Sequence, residues 1–299
     1  MPITLPPLNR RRFLEGTTVL GAGLLTGRSV YADDEVEVDP NRFAVLSDSH
    51  IGSRDIRSRP CSVTLRKAVE EVLELRPRPA AVFVNGDCAH LYGFPEDYVE
   101  FVSLVRPLRE AGLPVHVTIG NHDNRGNLWR AIPAEDGQDE VVRGRHITVL
   151  EGERVNWFML DSLRTINASP GALGEAQLEW LAGALDQHDD KPAIVMVHHN
   201  PTTIRANIGL TDTADLFEVI VPRTHVKALF HGHIHRWHTA VDEGIHRVSL
   251  PTTAYVFEEE EPLAWLDMHI LDDGLRIDVH CLDREHDEHG REVELSWRT

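Results

Sequence analysis

The chain has 299 residues, 41% hydrophobic and 26% charged, enough for one substantial core and too ordinary for a disordered or membrane-spanning class. A formal net charge of -18 repels nucleic-acid backbones and anionic lipid surfaces, which argues against a polynucleotide substrate and a stable membrane anchor. Cys61, Cys88 and Cys281 are odd in number and lack CxxC spacing, so neither a thiolate zinc site nor a disulfide framework is indicated, and one bridge among them stays open.

At the N-terminus, Asn9-Arg10-Arg11-Arg12-Phe13-Leu14 resembles the twin-arginine export motif, an arginine pair, any residue, then Phe-Leu. Gly16 to Gly27 is apolar but too short to span a bilayer, and its glycines oppose a stable helix. Val30-Tyr31-Ala32 then places small residues at the cleavage positions. Residues 1–32 are thus expected to be a signal peptide, 33–40 an acidic solvated leader, and 41–299 the catalytic domain. The resemblance implies a periplasmic or otherwise extracytoplasmic address and the twin-arginine machinery as a partner of the precursor. Such a segment should lie outside the fold.

The first buried strand runs from Phe43 to Ser47 and leads into Asp48-Ser49-His50. A helix follows, with Leu65, Val69, Val72 and Leu73 at helical spacing until Pro77 stops it. Ala80 to Asn85 is a second strand, ending in Gly86-Asp87. Pro95-Glu96-Asp97 starts a second helix with Tyr98, Phe101, Val102 and Val105 inward, closed by Gly112-Leu113-Pro114. Val115 to Ile119 is a third strand, and Gly120-Asn121-His122-Asp123 follows it. Further strands are expected at Val155 to Leu160, Ala193 to Val197, Val226 to Phe230, Ile245 to Leu250 and Ala264 to Ile270. Helices are expected near Glu175 to Leu185 and Ala214 to Ile220. From Trp237 onward the pattern turns to hairpins, so the sheets should be mixed.

Five of these strands end in metal-capable side chains, the last two in His198-His199 and His231-Gly232-His233-Ile234-His235. Ligands of open α/β sheets bind beyond the carboxyl ends of strands, so the five ends can converge on one crevice. Each pair alone is more often a satisfied surface pair. Together and in order they specify a metal centre. Glu258 to Glu261 reads instead as a solvated loop, and His286 and His289 as tail.

The series DxH, GD, GNHD, a lone His and GHxH resembles the calcineurin-like metallophosphoesterases over roughly Asn41 to Leu271. Gly120 to Arg125, Leu160-Asp161-Ser162, His198 to Pro201 and Gly209 to Asp212 resemble the branch of class III cyclic-nucleotide phosphodiesterases and glycerophosphodiesterases. Asn200 stands where that branch more often has a second proline. His90 stands where purple acid phosphatases carry a ligand tyrosine, which argues against an iron tyrosinate centre.

The resemblance implies an α/β fold, a four-layer α/β/β/α sandwich of two mixed sheets flanked by helices. It also implies two divalent or trivalent transition-metal ions. One would be held by Asp48, His50, Asp87 and His235, the other by Asp87, Asn121, His198 and His233. Imidazole, carboxylate and amide donors suit Mn, Fe or Zn and do not choose among them. Hydrolysis would proceed by attack of a metal-bridging hydroxide on a small phosphodiester. His122 would protonate or stabilise the leaving oxygen, with Asp123 holding its ring. His199 and His231 would support the ligands or pack. His90, Tyr92, Arg125 and Asn207 are candidate substrate contacts, Arg125 because a guanidinium can clamp a phosphate. Two alternatives remain: a phosphomonoesterase with the same centre, and a non-catalytic scaffold, which the intact ligand set disfavours. The oligomeric state is open.

Overall fold

The computed structural model describes residues 3–8, 36–52, 59–132, 141–202 and 207–299. Most of the expected signal peptide, including the Arg10-Arg11-Arg12 motif and Ala32, lies outside the described residues, as does the start of the acidic leader.

Two sheets are stacked face to face. The first has the order β1-β4-β3-β2-β11-β12-β13, with β1 Ile3–Leu5, β2 Val38–Ser47, β3 Arg78–Asn85, β4 Val115–Thr118, β11 Ala264–Ile270, β12 Gly274–Cys281 and β13 Glu292–Ser296. The second has the order β5-β6-β7-β8-β10-β9, with β5 Thr148–Glu151, β6 Asn156–Met159, β7 Ala193–Met196, β8 Val226–His231, β9 His238–Asp242 and β10 Ile245–Ser249. Each is mixed, as expected. Strands β2, β3 and β4 are parallel, as are β6, β7, β8 and β10, whereas β11, β12 and β13 form an antiparallel meander.

The alternation of side chains along a strand explains the layering. In β2, Ala44 and Leu46 join a cluster with Leu65, Val69 and Val72 of helix α1 (Arg59–Glu74) and with Phe101 and Val105 of helix α2 (Pro95–Glu110). Phe43 and Val45 point the other way. They meet Trp157, Met196 and Phe230 from the second sheet, and this cluster is the filling between the sheets. On the far side, Phe158, Val195 and Leu229 pack against Leu181 and Leu185 of helix α4 (Glu175–Gln187) and Leu216 of helix α5 (Thr213–Ile220). Three clusters separate four layers, the expected α/β/β/α sandwich.

The helices form where the sequence permits them. Cys61, Leu65, Ala68, Val69 and Val72 place one buried stripe on α1. Pro95 occupies the first turn of α2, where no N–H partner is needed, and Asp97 accepts the Phe94 N–H at 2.9 Å. A short helix not foreseen, α3 (Arg125–Ala131), is capped by Asn124, whose side chain accepts the Asn127 N–H at 3.0 Å.

Strand β1 departs from the expectation that the N-terminal segment lies outside the fold. Ile3, Thr4 and Leu5 pair antiparallel with Val117, His116 and Val115, and Leu5 is fully buried. Arg109 Nε donates to the Pro6 carbonyl at 2.8 Å, and Leu8 N to the Arg109 carbonyl at 2.9 Å. The strand covers backbone groups of β4 that would otherwise form an open sheet edge. All three cysteines are buried and free, which removes the disulfide option.

Candidate metal centre

The carboxyl ends of β2, β3 and β4 in one sheet and of β7 and β8 in the other meet at a single place, because the parallel strands of both sheets end on the same side. The loops after β2 and β3 run alongside each other: His50 N donates to the Asp87 carbonyl at 2.8 Å and Ile51 N to that of Cys88 at 2.9 Å. Between the loops, glycine permits close approach. A Cβ at Gly120 would overlap the backbone N and Oδ1 of Asp87, and one at Gly232 would overlap Ser47 Oγ and Asp48 Oδ2.

Asp48, His50 and His235 form one set of facing donor atoms; Asp87, His198 and His233 form another. A third set, His50, Asp87 and His122, links them. Asp87 Oδ2 lies 3.6 Å from His50 Nε2 and 3.3 Å from His198 Nε2. His50 Nε2 and His235 Nε2 face each other at 3.0 Å. Asp48, His50, Asp87 and His235 are all buried. Asp48, His50, Asp87, His233 and His235 have φ between 44° and 72°, a left-handed backbone that costs non-glycine residues roughly 1–2 kcal/mol each. Such strain persists where the surroundings over-determine it, as at a site.

Backbone carbonyls orient the imidazoles. His198 Nδ1 meets the Asn85 carbonyl at 2.9 Å, His235 Nδ1 that of Tyr255 at 2.6 Å, and His233 Nε2 that of Ile208 at 3.0 Å. Donation there leaves the other ring nitrogen as an acceptor facing the cluster, the arrangement that metal-binding histidines adopt. His198 Nε2 and Asn121 Oδ1 are buried with no hydrogen-bond partner among the described residues. An orphaned nitrogen and an orphaned amide oxygen beside two buried carboxylates fit a cation. Burial disfavours charge here and drives His50 down to about 3. At His198 burial also lowers the pKa, but Asp87 and Asp48 outweigh it and raise it to about 10, so these carboxylates favour a positive charge at Nε2, which a proton or a cation can supply. The donor set therefore fits the expected metal ions.

His122 sits beside this cluster. Its backbone N–H donates to Asp87 Oδ1 at 2.8 Å, its Nδ1 meets the Leu91 carbonyl at 3.2 Å, and its Nε2 is 4.0 Å from Asp87 Oδ2. Asp123 does not hold the His122 ring, contrary to expectation. It accepts from Gly120 N, Ala89 N and Tyr98 Oη at 2.9, 3.1 and 3.1 Å, so it ties its own turn to the loop after β3 and to helix α2. Burial first, and then Asp87, push its pKa up to about 6.

Arg125 is not an open phosphate clamp either. Its Nε and Nη2 grip the two oxygens of Asp161 at 2.6 and 2.8 Å, and Nη2 also reaches the Leu163 carbonyl. His90, Tyr92 and Asn207 do not line the cavity over the cluster. The His90 ring is 6.1 Å from His50, Tyr92 is exposed beside Phe94, and Asn207 is exposed next to Ile208, which does line it. His199 stands behind the site, its Nδ1 2.8 Å from Ser162 Oγ and its ring 4.6 Å from His233. His231 is buried, its Nδ1 3.2 Å from the Gly232 carbonyl.

Sequence reasoning missed Tyr255 and Phe257, whose rings lie 4.8 and 4.5 Å from His235. Their loop is drawn to the site by Thr253 N, which donates to the Ser47 carbonyl at 3.0 Å, and Thr252 Oγ1, which donates to that of Asp48 at 3.0 Å. Threonines and aromatics after a strand carry no metal signal, so only long-range pairing could reveal them. Elsewhere, Asp267, His269 and Asp278 form another group of metal-capable side chains, but Arg42 already binds both oxygens of Asp267.

A four-layer sandwich with buried imidazoles, carboxylates and an amide gathered at its strand ends defines a metallohydrolase. Residues 41–237 match the family model of the calcineurin-like phosphoesterases, and the chain belongs to that family. It is a metal-dependent phosphoric ester hydrolase. It is 30% identical over 200 residues to the 3',5'-cyclic adenosine monophosphate phosphodiesterase CpdA of Pseudomonas aeruginosa, covering 64% of this chain and 68% of that protein. It is 31% identical over 209 residues to the probable glycerophosphodiester phosphodiesterase GpdQ of Arcobacter nitrofigilis, covering 66% and 72%. In fold it resembles a dimetal phosphatase from Danio rerio, with a TM-score of 0.67 and 15% identity over 87% of this chain and all (100%) of that one.

Proposed function

We propose that the protein is an exported, dinuclear metallophosphodiesterase acting on small phosphodiesters, such as glycerophosphodiesters or nucleotides. The observation that carries this reading is the place of Asp87, whose Oδ2 lies 3.6 Å from His50 Nε2 and 3.3 Å from His198 Nε2, while Oδ1 accepts the His122 N–H. A carboxylate shared between two donor sets can hold two cations about 3.5–4 Å apart. Asp48, His50 and His235 would complete one site; Asn121, His198 and His233 the other. Mn, Fe and Zn all suit these donors. When bound, the ions would supply Lewis acidity toward the phosphoryl oxygens and an activated water.

The chain's own residues do the rest. Donation of Nδ1–H to the Leu91 carbonyl turns His122 Nε2 toward the cluster, where the imidazolium can give its proton to a leaving oxygen. The cavity over the cluster, about 410 Å³, is lined by no lysine or arginine among the described residues. Among the described residues a monoester dianion would find no side-chain cation there to balance its extra charge, which favours the singly charged diester. The named relatives, a cyclic-nucleotide and a glycerophosphodiester phosphodiesterase, support the same preference.

Rates on bis(4-nitrophenyl) phosphate and 4-nitrophenyl phosphate, measured side by side with Mn and Zn added in turn, test this. Faster monoester hydrolysis would reject the diesterase reading. Export is supported by Arg10-Arg11-Arg12-Phe13-Leu14. Changing Arg10 and Arg11 to Lys should leave active precursor in the cytoplasm; unchanged export would reject that address.

A further inference from the structure

Four rings cross the site in succession. Centroids are 5.2 Å apart from His122 to His50, 4.9 Å from His50 to His235, and 4.5 Å from His235 to Phe257. His50 and His235 thus separate Phe257 from His122 along this series, and both ends line the same cavity. Phe257 lies nearly parallel to the His235 imidazole, at 19°, while 67% of its surface remains exposed. Tyr255 meets it edge-on at 5.7 Å and closes the side toward His50, 5.0 Å away.

Beyond Phe257 the cavity over the cluster continues into a second, of about 400 Å³, that shares Ile208, Ile234, His235 and Phe257 with it. Its far wall is Arg236, Glu258 and Glu261. Arg236 is paired with both carboxylates: Nη2 donates to Glu258 at 2.8 Å and Nε to Glu261 at 2.6 Å. Two carboxylates against one guanidinium leave this wall with a net negative charge.

The geometry points to a substituent pocket, and so to a substrate class. Resting on the reading of the cluster as the phosphodiesterase centre, the second cavity takes the ester substituent retained on phosphorus, as a flat, uncharged ring stacked on Phe257. The leaving oxygen departs on the His122 side. Aliphatic wall residues and an exposed aromatic face favour a ring, since stacking on an aromatic side chain changes affinity by about tenfold or more. Glu258 and Glu261 disfavour a substituent that carries a second negative charge.

The test uses metal-reconstituted protein and diesters that share 4-nitrophenolate as leaving group, with methyl, phenyl or 4-carboxyphenyl retained. The expected order of kcat/KM is phenyl, methyl, carboxyphenyl, with phenyl about tenfold above methyl and the difference in KM. Phe257→Ala should bring the phenyl-to-methyl ratio close to one, and Phe257→Trp should keep it. Glu258→Gln should raise carboxyphenyl relative to phenyl several-fold. Equal wild-type rates for phenyl and methyl, or a Phe257→Ala effect that leaves their ratio intact, would overturn the proposal, since Phe257 would then merely pack against His235. Calorimetric binding of phenyl methylphosphonate and methyl methylphosphonate separates the two readings. Tighter binding of the phenyl ligand, lost in Phe257→Ala, with no diester turned over would sink the phosphodiesterase assignment and keep the pocket. No difference in binding would sink the pocket alone.

Discussion

Asp123 directs its carboxylate away from the ring of its neighbour His122 and onto the backbone N–H groups of Gly120 and Ala89 and the hydroxyl of Tyr98. The two residues thus serve different ends, although both stand in the same GNHD stretch. One closes the loops that carry Asp87 and Asn121; the other faces the cluster.

Their variants should differ accordingly. His122→Ala should keep both metals and lower kcat by about 10² to 10⁴ on diesters with poor leaving groups, with a much smaller loss on nitrophenyl esters. Asp123→Ala leaves buried donors without an acceptor, at about 1–3 kcal/mol for each group, so it should lower the melting temperature and metal content and leave the leaving-group dependence unchanged. A steeper leaving-group dependence in Asp123→Ala would mean that it acts on the proton donor after all.

Metal content distinguishes shared from unshared ligands. Elemental analysis of reconstituted protein should find two transition-metal ions per chain. Asp87→Ala should empty both sites, because its carboxylate faces both sets of histidines, whereas His50→Ala should mainly weaken one. Fewer than about one ion per wild-type chain would reject two-metal occupancy.

The pair Arg42–Asp267 ties β2 to β11 and sets an acid limit. Burial would raise the Asp267 pKa, but hydrogen bonds from Arg42 and His269 outweigh it and hold the carboxyl at about 2, against 3.8 when unfolded. A depressed carboxyl pKa contributes stability above the unfolded value and loses it as pH falls through the folded one. On the order of 2 kcal/mol should therefore disappear between about pH 4 and pH 2. Asp267→Ala leaves Arg42 buried without its partner and should cost about 3 kcal/mol at pH 7. Urea titrations of both proteins at pH 7 and pH 2.5 check this, the gap being expected to shrink in acid.

Strand β1 can be tested at His116, whose Nδ1 lies 2.9 Å from Thr4 Oγ1. Burial lowers its pKa to about 4. A histidine held neutral in the folded protein gains protons on unfolding, so its contribution is full above about pH 6.5 and declines as pH falls toward 4. Deleting residues 1–8 should return His116 toward about 6.5 by NMR titration and speed amide exchange in β4. An unchanged His116 would show that β1 does not shield it.

The candidate metal ligands were legible in the sequence because their signals are local. A run such as Phe43 to Ser47 is a buried strand whatever lies around it, and Asp48 and His50 follow directly; the same holds for Asp87, Asn121, His198, His233 and His235. The period of the apolar pattern likewise marks α1 and α2, and strand after strand with intervening helices implies right-handed crossovers, whereas the two-sheet sandwich followed from the resemblance to the family. Partner choice is not local. Whether Asp123 would hold His122 or the loop amides, and whether Arg125 would await a phosphate or grip Asp161, depended on which chain segments arrive within 3 Å, and those segments lie up to 36 residues away. The edge strand β1 and the Tyr255–Phe257 wall were decided in the same way, by backbone hydrogen bonds across more than 100 residues in one case and more than 200 in the other. Sequence spacing determined which atoms could bind metal, and tertiary packing decided what every neighbouring side chain was left free to do, because a hydrogen-bonding group is committed by the first well-placed partner that burial brings to it.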